Sequence, residues 1–208
     1  MFDARFNAFA VMAAALVLSP GASMAVVTEV ALQRGRLAAL LTVAGINIAN
    51  SSLALASMLG LSAVIHRGPA LLRAVSIGGA IYLAFLGSLA LWRAALARVP
   101  NRAERLHPAP GGPSSAIVRG MLTNFLNPSV ILFYTLLLPQ FIRGTDPFYQ
   151  RFLLLAATHV SMSLLWLSAY ALAVGTLSER LAQPPVRRTM EAATGAVLVI
   201  LAISLIKW

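Results

Sequence analysis

The stretch Arg119-Gly120-Met121-Leu122-Thr123-Asn124-Phe125-Leu126-Asn127-Pro128 leads into apolar sequence that continues to Ile142. The run 117–142 is long enough for a membrane span, which needs about 20 mainly apolar residues. A proline inside it removes one backbone hydrogen bond and pushes away the carbonyl four residues earlier, here that of Asn124. In hydrocarbon, freed backbone groups are tolerated only where protein buries them or a wet cavity meets them. The stretch therefore reads as a broken membrane helix that needs neighbours.

Working outward, five more apolar runs appear, at 6–31, 37–65, 74–92, 152–177 and 189–206. Of the 208 residues, 59% are hydrophobic and 11% charged, with a mean hydropathy of +0.82. Soluble domains carry about 25% charged residues, so an ordinary soluble protein is excluded. Six spans leave no room for a separate soluble domain. The chain has no cysteine, which removes disulfide scaffolds, thiol chemistry and Cys-based metal sites. Between the third and fourth runs lies one long connection, 93–116, carrying Pro100, Pro108, Pro110, Gly111, Gly112 and Pro113. It reads as a cytoplasmic linker. It divides the chain into 1–92 and 117–208, 92 residues each. Three spans per half is an odd number, so related halves would be inverted in the bilayer, as in many secondary transporters. The expected fold is an all-α polytopic membrane protein, a single membrane domain of six transmembrane helices arranged as two inverted three-helix repeats. The first run has a rival reading as a signal peptide cut near Ser23-Met24-Ala25. Its neutral start, Asp3 offsetting Arg5, and its continuation to Val30 favour a retained helix.

Fifteen arginines and one lysine face six acidic residues, for a net charge of +10. They sit singly or in pairs between apolar runs, without the basic stripe of a nucleic-acid surface. They report orientation instead. Ten of them (Arg34, Arg36, Arg93, Arg98, Arg102, Arg105, Arg119, Arg180, Arg187 and Arg188) belong to the odd-numbered connections. Six (Arg5, Arg67, Arg73, Arg143, Arg151 and Lys207) belong to the termini and even-numbered connections. Ten against six places the linker in the cytoplasm and both termini in the periplasm.

Pro20 in the first run matches Pro128 in the fourth, and its affected carbonyl is that of Leu16. A broken helix offers carbonyls to a cation and a half-helix N-terminus to an anion; a zwitterionic amino acid needs both. The plain alternative is a packing kink. Near these breaks lie Ser19, Gly21, Ser23, Asn47, Asn50, Ser51, Ser52, Thr123, Asn124 and Asn127, whose amides and hydroxyls serve either a cavity or interhelical contacts. The candidate substrate-binding or gating residues are Pro20, Gly21, Asn47, Asn50, Tyr82, Thr123, Asn124, Asn127 and Pro128. Proton-coupling candidates are Glu29, alternatively an interfacial carboxylate beside Arg34 or Arg36, and His159, alternatively a structural histidine. Gly78-Gly79, Gly87 and Gly195 read as close helix contacts, and Trp92 and Trp208 as interfacial anchors. No P-loop pattern is present, no cofactor is expected, and no metal ligands are assigned. Two non-transport readings were weighed. A hydrolase built on His159 with Ser161 or Ser163 lacks an orienting group and oxyanion donors. The other is a membrane assembly partner without transport activity.

At these residues the chain resembles the LysE/RhtB family of amino-acid exporters along nearly its whole length. The family's Pro-Gly-Pro appears as Pro20-Gly21-Ala22, followed by the basic turn Arg34-Gly35-Arg36. Its second-helix glycine motif reads Gly45-Ile46-Asn47-Ile48-Ala49-Asn50, and the third helix carries Gly79-Ala80-Ile81-Tyr82-Leu83 and Leu86-Gly87. The string Arg119 to Pro128, then Phe133 and Leu138-Pro139-Gln140-Phe141, is the most specific part. The resemblance implies a secondary exporter of an amino acid or related small metabolite across the bacterial cytoplasmic (inner) membrane, coupled to protons, with a homodimer as one open assembly. A cation or metal exporter of a related six-helix group is the alternative. Ala22 replaces the second proline of the first motif, Asn50 stands where many members have Asp, and Ser129 where many have Lys. The last two changes remove charge from the expected cavity.

Overall fold

The structure, a computed structural model, describes residues 3–65, 69–96, 112–174 and 183–206. Every element in them is helical. Helix α1, Ala4–Leu18, starts at Asp3, whose carboxylate accepts the Phe6 amide at 2.9 Å, the expected N-cap arrangement. It stops at Ser19, which is extended (ψ 130°), because a residue before proline is driven out of the helical region. Helix α2, Ala22–Ile65, begins directly after Gly21 and bends once, at Gly35, where φ is 84°. Glycine adopts that left-handed conformation without a Cβ penalty. Gly35 thus divides α2 into arms 22–34 and 36–65.

Helix α3 spans Pro69–Leu96 and helix α4 spans Pro113–Phe125. Asn127 is extended (φ −85°, ψ 107°), and α5, Pro128–Leu132, follows with Pro128 as its first residue. The chain then widens into a π-helical turn, Phe133–Leu137, and tightens in a 3-10 turn, Leu138–Phe141. The pieces before and after the Asn127-Pro128 break are bent by 61°. Helices α6, Phe148–Leu172, and α7, Pro184–Ile206, complete the described chain.

These boundaries refine the sequence expectations. The run 6–31 is two helices, and its second piece continues through Gly35 into the next. Pro184-Pro185, expected as a boundary, opens α7, where missing amide hydrogens cost nothing. Residues 97–111 of the linker, the turns 66–68 and 175–182, and Lys207 and Trp208 lie outside the described residues.

Two helices among the described residues are long and apolar enough to cross a membrane, Ala22–Gly60 and Phe148–Leu172; the bent pair Pro113–Phe125 and Pro128–Phe141 makes a third if taken as one span. The outer surface agrees with that environment. Leu126 (77%), Leu37 (73%) and Leu165 (72%) are largely exposed, with many other large apolar side chains, more than a soluble monomer tolerates.

Two apolar clusters fill the interior. One gathers Phe9 and Met12 of α1, Phe133, Tyr134, Leu137, Leu138 and Phe141 of the π and 3-10 turns, and Phe152 and Leu155 of α6. The other gathers Val27, Val30, Ala39, Val43 and Ile46 of α2 with Leu167, Tyr170 and Ala171 of α6. Glycines set the closest crossings. A Cβ on Gly45 would strike the Ile117 carbonyl, and one on Gly120 would strike that of Thr42, so α2 and α4 touch backbone to backbone. Gly87 and Gly195 do the same for α3 and α7: each added Cβ would meet the other's carbonyl, at 3.0 and 2.8 Å. Small residues permit such approach within a membrane.

Candidate functional site

The two helix breaks meet. A cavity of about 380 Å³ lies between them, lined by Leu16, Ser19, Pro20, Gly21, Ser23 and Met24 from the first break and by Asn124, Asn127, Ser129, Val130 and Phe133 from the second. Asn50 of α2, Leu86, Leu89, Ala90 and Arg93 of α3, His159, Ser163 and Leu167 of α6, and Thr194 and Leu198 of α7 close the wall. A depression of about 410 Å³ on the outer face of α4 is wide open and lined by one helix alone. It lacks the converging polar groups of a binding site.

An amide network spans the central wall. Asn124 Nδ2 donates to Asn50 Oδ1 at 2.7 Å and to the Ile46 carbonyl at 3.2 Å. Asn50 Nδ2 donates to Ser163 Oγ at 3.4 Å. Asn127 caps α5: its Oδ1 accepts the Ser129 amide at 3.0 Å. His159 is buried, its Nδ1 2.8 Å from the Tyr134 hydroxyl and its ring 4.3 Å, centroid to centroid, from that of Phe133. The backbone contributes as well. The last carbonyls of α1 and first amides of α2 have no intrahelical partners by helix geometry, and Leu16, Val17, Ala22 and Ser23 stand at the cavity. The site can therefore meet a cation with carbonyls and an anion with amides, within partly apolar walls.

Of the residues singled out from sequence, Pro20, Gly21, Asn50, Asn124, Asn127 and His159 line the cavity. Pro128 starts α5 between the lining residues Asn127 and Ser129. Four others, Asn47, Thr123, Tyr82 and Glu29, lie elsewhere. Asn47 is buried in α2, its Nδ2 donating to the Val43 carbonyl at 2.9 Å. Its Oδ1 is buried with no hydrogen-bond partner among the described residues. Thr123 bonds back to the Arg119 carbonyl at 2.8 Å and faces the outer depression. Tyr82 is half-buried against the first apolar cluster, near Ser129. Glu29 is not beside Arg34 or Arg36 in an ion pair; it pairs with Arg119 at 2.7 Å. Arg34 instead holds the start of α4, donating to Ser115 Oγ at 2.9 Å and the Gly112 carbonyl at 2.7 Å. Helix packing brings α4 over α2, which sequence neighbourhood could not reveal.

Sequence reasoning passed over Arg93, counted only as a topology signal, and Ser129, noted only as a lost charge. It named Ser163 only for the hydrolase reading and did not single out Tyr134. Periodicity could have found most of these. Leu86, Leu89, Ala90 and Arg93 follow i, i+3, i+4, i+7, and His159, Ser163 and Leu167 follow i, i+4, i+8, each a single helix face.

At one end of the molecule, Asp3 binds the buried Arg151 at 2.6 Å, with Arg143 at 3.8 Å. Asp146 accepts the Arg143 amide at 2.8 Å and lies 3.8 Å from Arg151 Nε. The Phe6 amide, then Arg151, hold the Asp3 carboxyl at about 2, below its ordinary 3.8. This cluster ties the start of α1 to the start of α6.

Apolar helices exposed to their surroundings and two broken helices facing one polar cavity define a membrane protein of the translocator class. The chain belongs to the family of LysE type translocators, whose family profile matches residues 14–207. It is 24% identical over 196 residues to the uncharacterized membrane protein YrhP of Bacillus subtilis (strain 168), covering 92% of this chain and 93% of that one. It is 31% identical over 171 residues to the leucine efflux protein of Enterobacter sp. (strain 638), covering 79% and 76%. The threonine efflux protein of Escherichia coli (strain K12) is 32% identical over 120 residues, 57% of each chain. No solved structure matches the chain.

Proposed function

We propose that this protein is a secondary exporter that moves an amino acid or related small metabolite out across the cytoplasmic membrane, coupled to the proton gradient. The observation that carries this reading is the meeting of the Pro20 and Pro128 breaks at one polar cavity. The names of its relatives, leucine and threonine efflux proteins, agree with such a substrate.

The proposed topology is six spans in two inverted three-helix repeats, with the linker in the cytoplasm and both termini in the periplasm. Several features support it. The first broken span has 15 residues before its break and the second has 13, about 22 and 20 Å of helix, so both breaks fall near mid-membrane. In each half a broken span precedes two further helices, and the Gly87–Gly195 crossing pairs the third span of one half with the third of the other. An inverted repeat would put such a pair on its pseudo-twofold axis.

In this reading the substrate carboxylate lies at the first turn of α2, where amides and helix dipole favour an anion. The ammonium meets the free carbonyls of α1 and the amide oxygens around Asn124. His159 is favoured over Glu29 as the proton carrier, because it lines the cavity while Glu29 is held by Arg119 away from it. A homodimer remains part of the proposal.

Asn127→Ala and Pro128→Ala test the site. Asn127→Ala removes the cap of α5, costing about 1 kcal/mol of local helix stability; Pro128→Ala lets the helix run through. Both variants are expected to insert normally and lose export of the amino acid that accumulates in a deletion strain. Normal efflux from either inserted variant refutes the proposed site.

A further inference from the structure

The charge inventory of the cavity is one-sided. Among its described lining residues no aspartate or glutamate appears, and the single fixed charge is Arg93. Its polar groups are amides, hydroxyls and His159; Leu16, Met24, Leu86, Leu89, Phe133 and Leu137 supply much of the rest. At about 30 Å³ per water, a volume of about 380 Å³ holds an amino acid together with several waters. Asn50 and Ser129 both line this cavity and are neutral.

Arg93 lies in the last turn of α3, seven residues beyond Leu86 on the same lining face, about 10 Å along the axis. It makes no ion pair among the described residues. Glu191, buried in α7 one turn before the lining residue Thr194 and engaged in an interaction of its own, is not among the described lining residues. The other described acids, Asp3, Glu29 and Asp146, are engaged by Arg151, Arg119 and the Arg143 amide. At the far end, Phe133, Tyr134 and Leu137 pack into the apolar cluster with Phe9 and Phe152. The described lining thus combines apolar side chains with one cation, Arg93, toward the linker end of α3.

We infer that the transported species is an amino acid without net positive charge and with an apolar side chain, and that Arg93 sets this charge preference. This rests on the proposed export function. A cationic side chain entering a cavity with no carboxylate among its described lining residues finds no opposite charge to offset its lost hydration, and it meets a like charge on the way in. The substrate carboxylate is drawn by that same charge, because a cleft of one sign in low-dielectric walls focuses its field. Arg93 is a selectivity residue acting on entry, so it governs KM more than the maximal rate.

Purified full-length protein in liposomes, assayed for uptake of labelled norleucine and lysine, tests this directly, since the two side chains differ by one terminal ammonium. Norleucine is expected to be moved at least tenfold more efficiently. Arg93→Gln should narrow the norleucine-over-lysine preference by roughly 10-fold, the scale of one unit charge on the lysine side chain about 10 Å away at an effective dielectric near 20, with the maximal norleucine rate nearly unchanged. Asn50→Asp, which keeps the acceptor for Asn124, and Ser129→Asp each add a carboxylate and should shift preference toward lysine. Equal transport of norleucine and lysine overturns the inference and leaves the export function standing. So does lysine transport that is lost in Glu191→Gln. An unchanged norleucine-to-lysine preference in Arg93→Gln overturns the role of Arg93. Transport of no amino acid by the wild-type protein overturns the export function itself.

Discussion

Replacing Gly120 by alanine puts one methyl group where the structure has no space for it. Its Cβ would collide with the Thr42 carbonyl and come within 3.0 Å of the Ile46 amide nitrogen. Neither is a flexible side chain that can swing away. Non-bonded heavy atoms settle near 3.5 Å or more, so α2 and α4 must part by roughly 1 Å. The amide network lies on the same seam, because Asn124 is one turn beyond Gly120 and Asn50 one turn beyond Ile46. Parting by that amount stretches the 2.7 Å Asn124–Asn50 bond to about 3.7 Å, past the useful range for N–H···O. Overpacking costs about 1–3 kcal/mol, and a membrane hydrogen bond adds about 0.6 kcal/mol, up to about 1.7. Gly120→Ala is therefore expected to lose about 2–4 kcal/mol, measured by reversible denaturant titration of helicity in mixed micelles. Gly45→Ala strikes the Ile117 carbonyl on the same seam and should cost a similar amount. The double variant should lose clearly less than the two single losses combined, since helices already parted accommodate the second methyl. Gly60→Ala, which meets nothing within 4 Å, is the control and should stay within about 0.5 kcal/mol. Wild-type stability in Gly120→Ala, or strict additivity in the pair, refutes the close crossing.

Two electrostatic predictions concern the helix ends. Asp3 titrates at about 2 when folded against 3.8 ordinarily, so its ionised form is the one the fold favours. That stabilisation is complete above pH 4, fades as the pH falls toward 2, and is absent below. Asn in its place still caps α1 but carries no charge, so Asp3→Asn should flatten this part of the stability–pH profile in acid titrations; an unchanged slope refutes the assignment. The Glu29–Arg119 pair is partly exposed, at 26% and 30%, and pairs of that kind contribute about 1 kcal/mol or less. Glu29→Arg should therefore lower thermal stability slightly and the swapped pair Glu29→Arg/Arg119→Glu should recover it, while failure of the swap to recover it argues against the contact.

Helix existence was legible because apolar runs and prolines act locally. Pro20 and Pro128 each disfavour a helical residue before them, and Ser19 and Asn127 are extended, although Leu138 before Pro139 stays helical. Asn127 was recognisable as a cap, and Gly35 as a turn, for equally local reasons. The ends were less legible: α7 starts at Pro184 because a proline that breaks a helix interior is harmless in its first turn. Sequence proximity points Glu29 to Arg34 or Arg36, whereas its ion-pair partner is Arg119 on α4.

The sequence by itself determined an apolar, all-helical chain, its two break points, and the residue types available beside them. Only the tertiary structure decided which of those residues share a cavity. Asn50 and Asn47 lie three residues apart on one helix, yet Asn50 lines the cavity and Asn47 does not. Asn124 faces inward while its neighbour Thr123 faces out. Arg93, which in sequence reports only topology, lines the cavity with Leu86, Leu89 and Ala90 of the same α3 face. Backbone breaks follow from covalent geometry within a few residues. The facing of side chains follows from how the helices cross, and that is set by contacts such as Gly45 on Ile117 and Gly120 on Thr42, far apart along the chain.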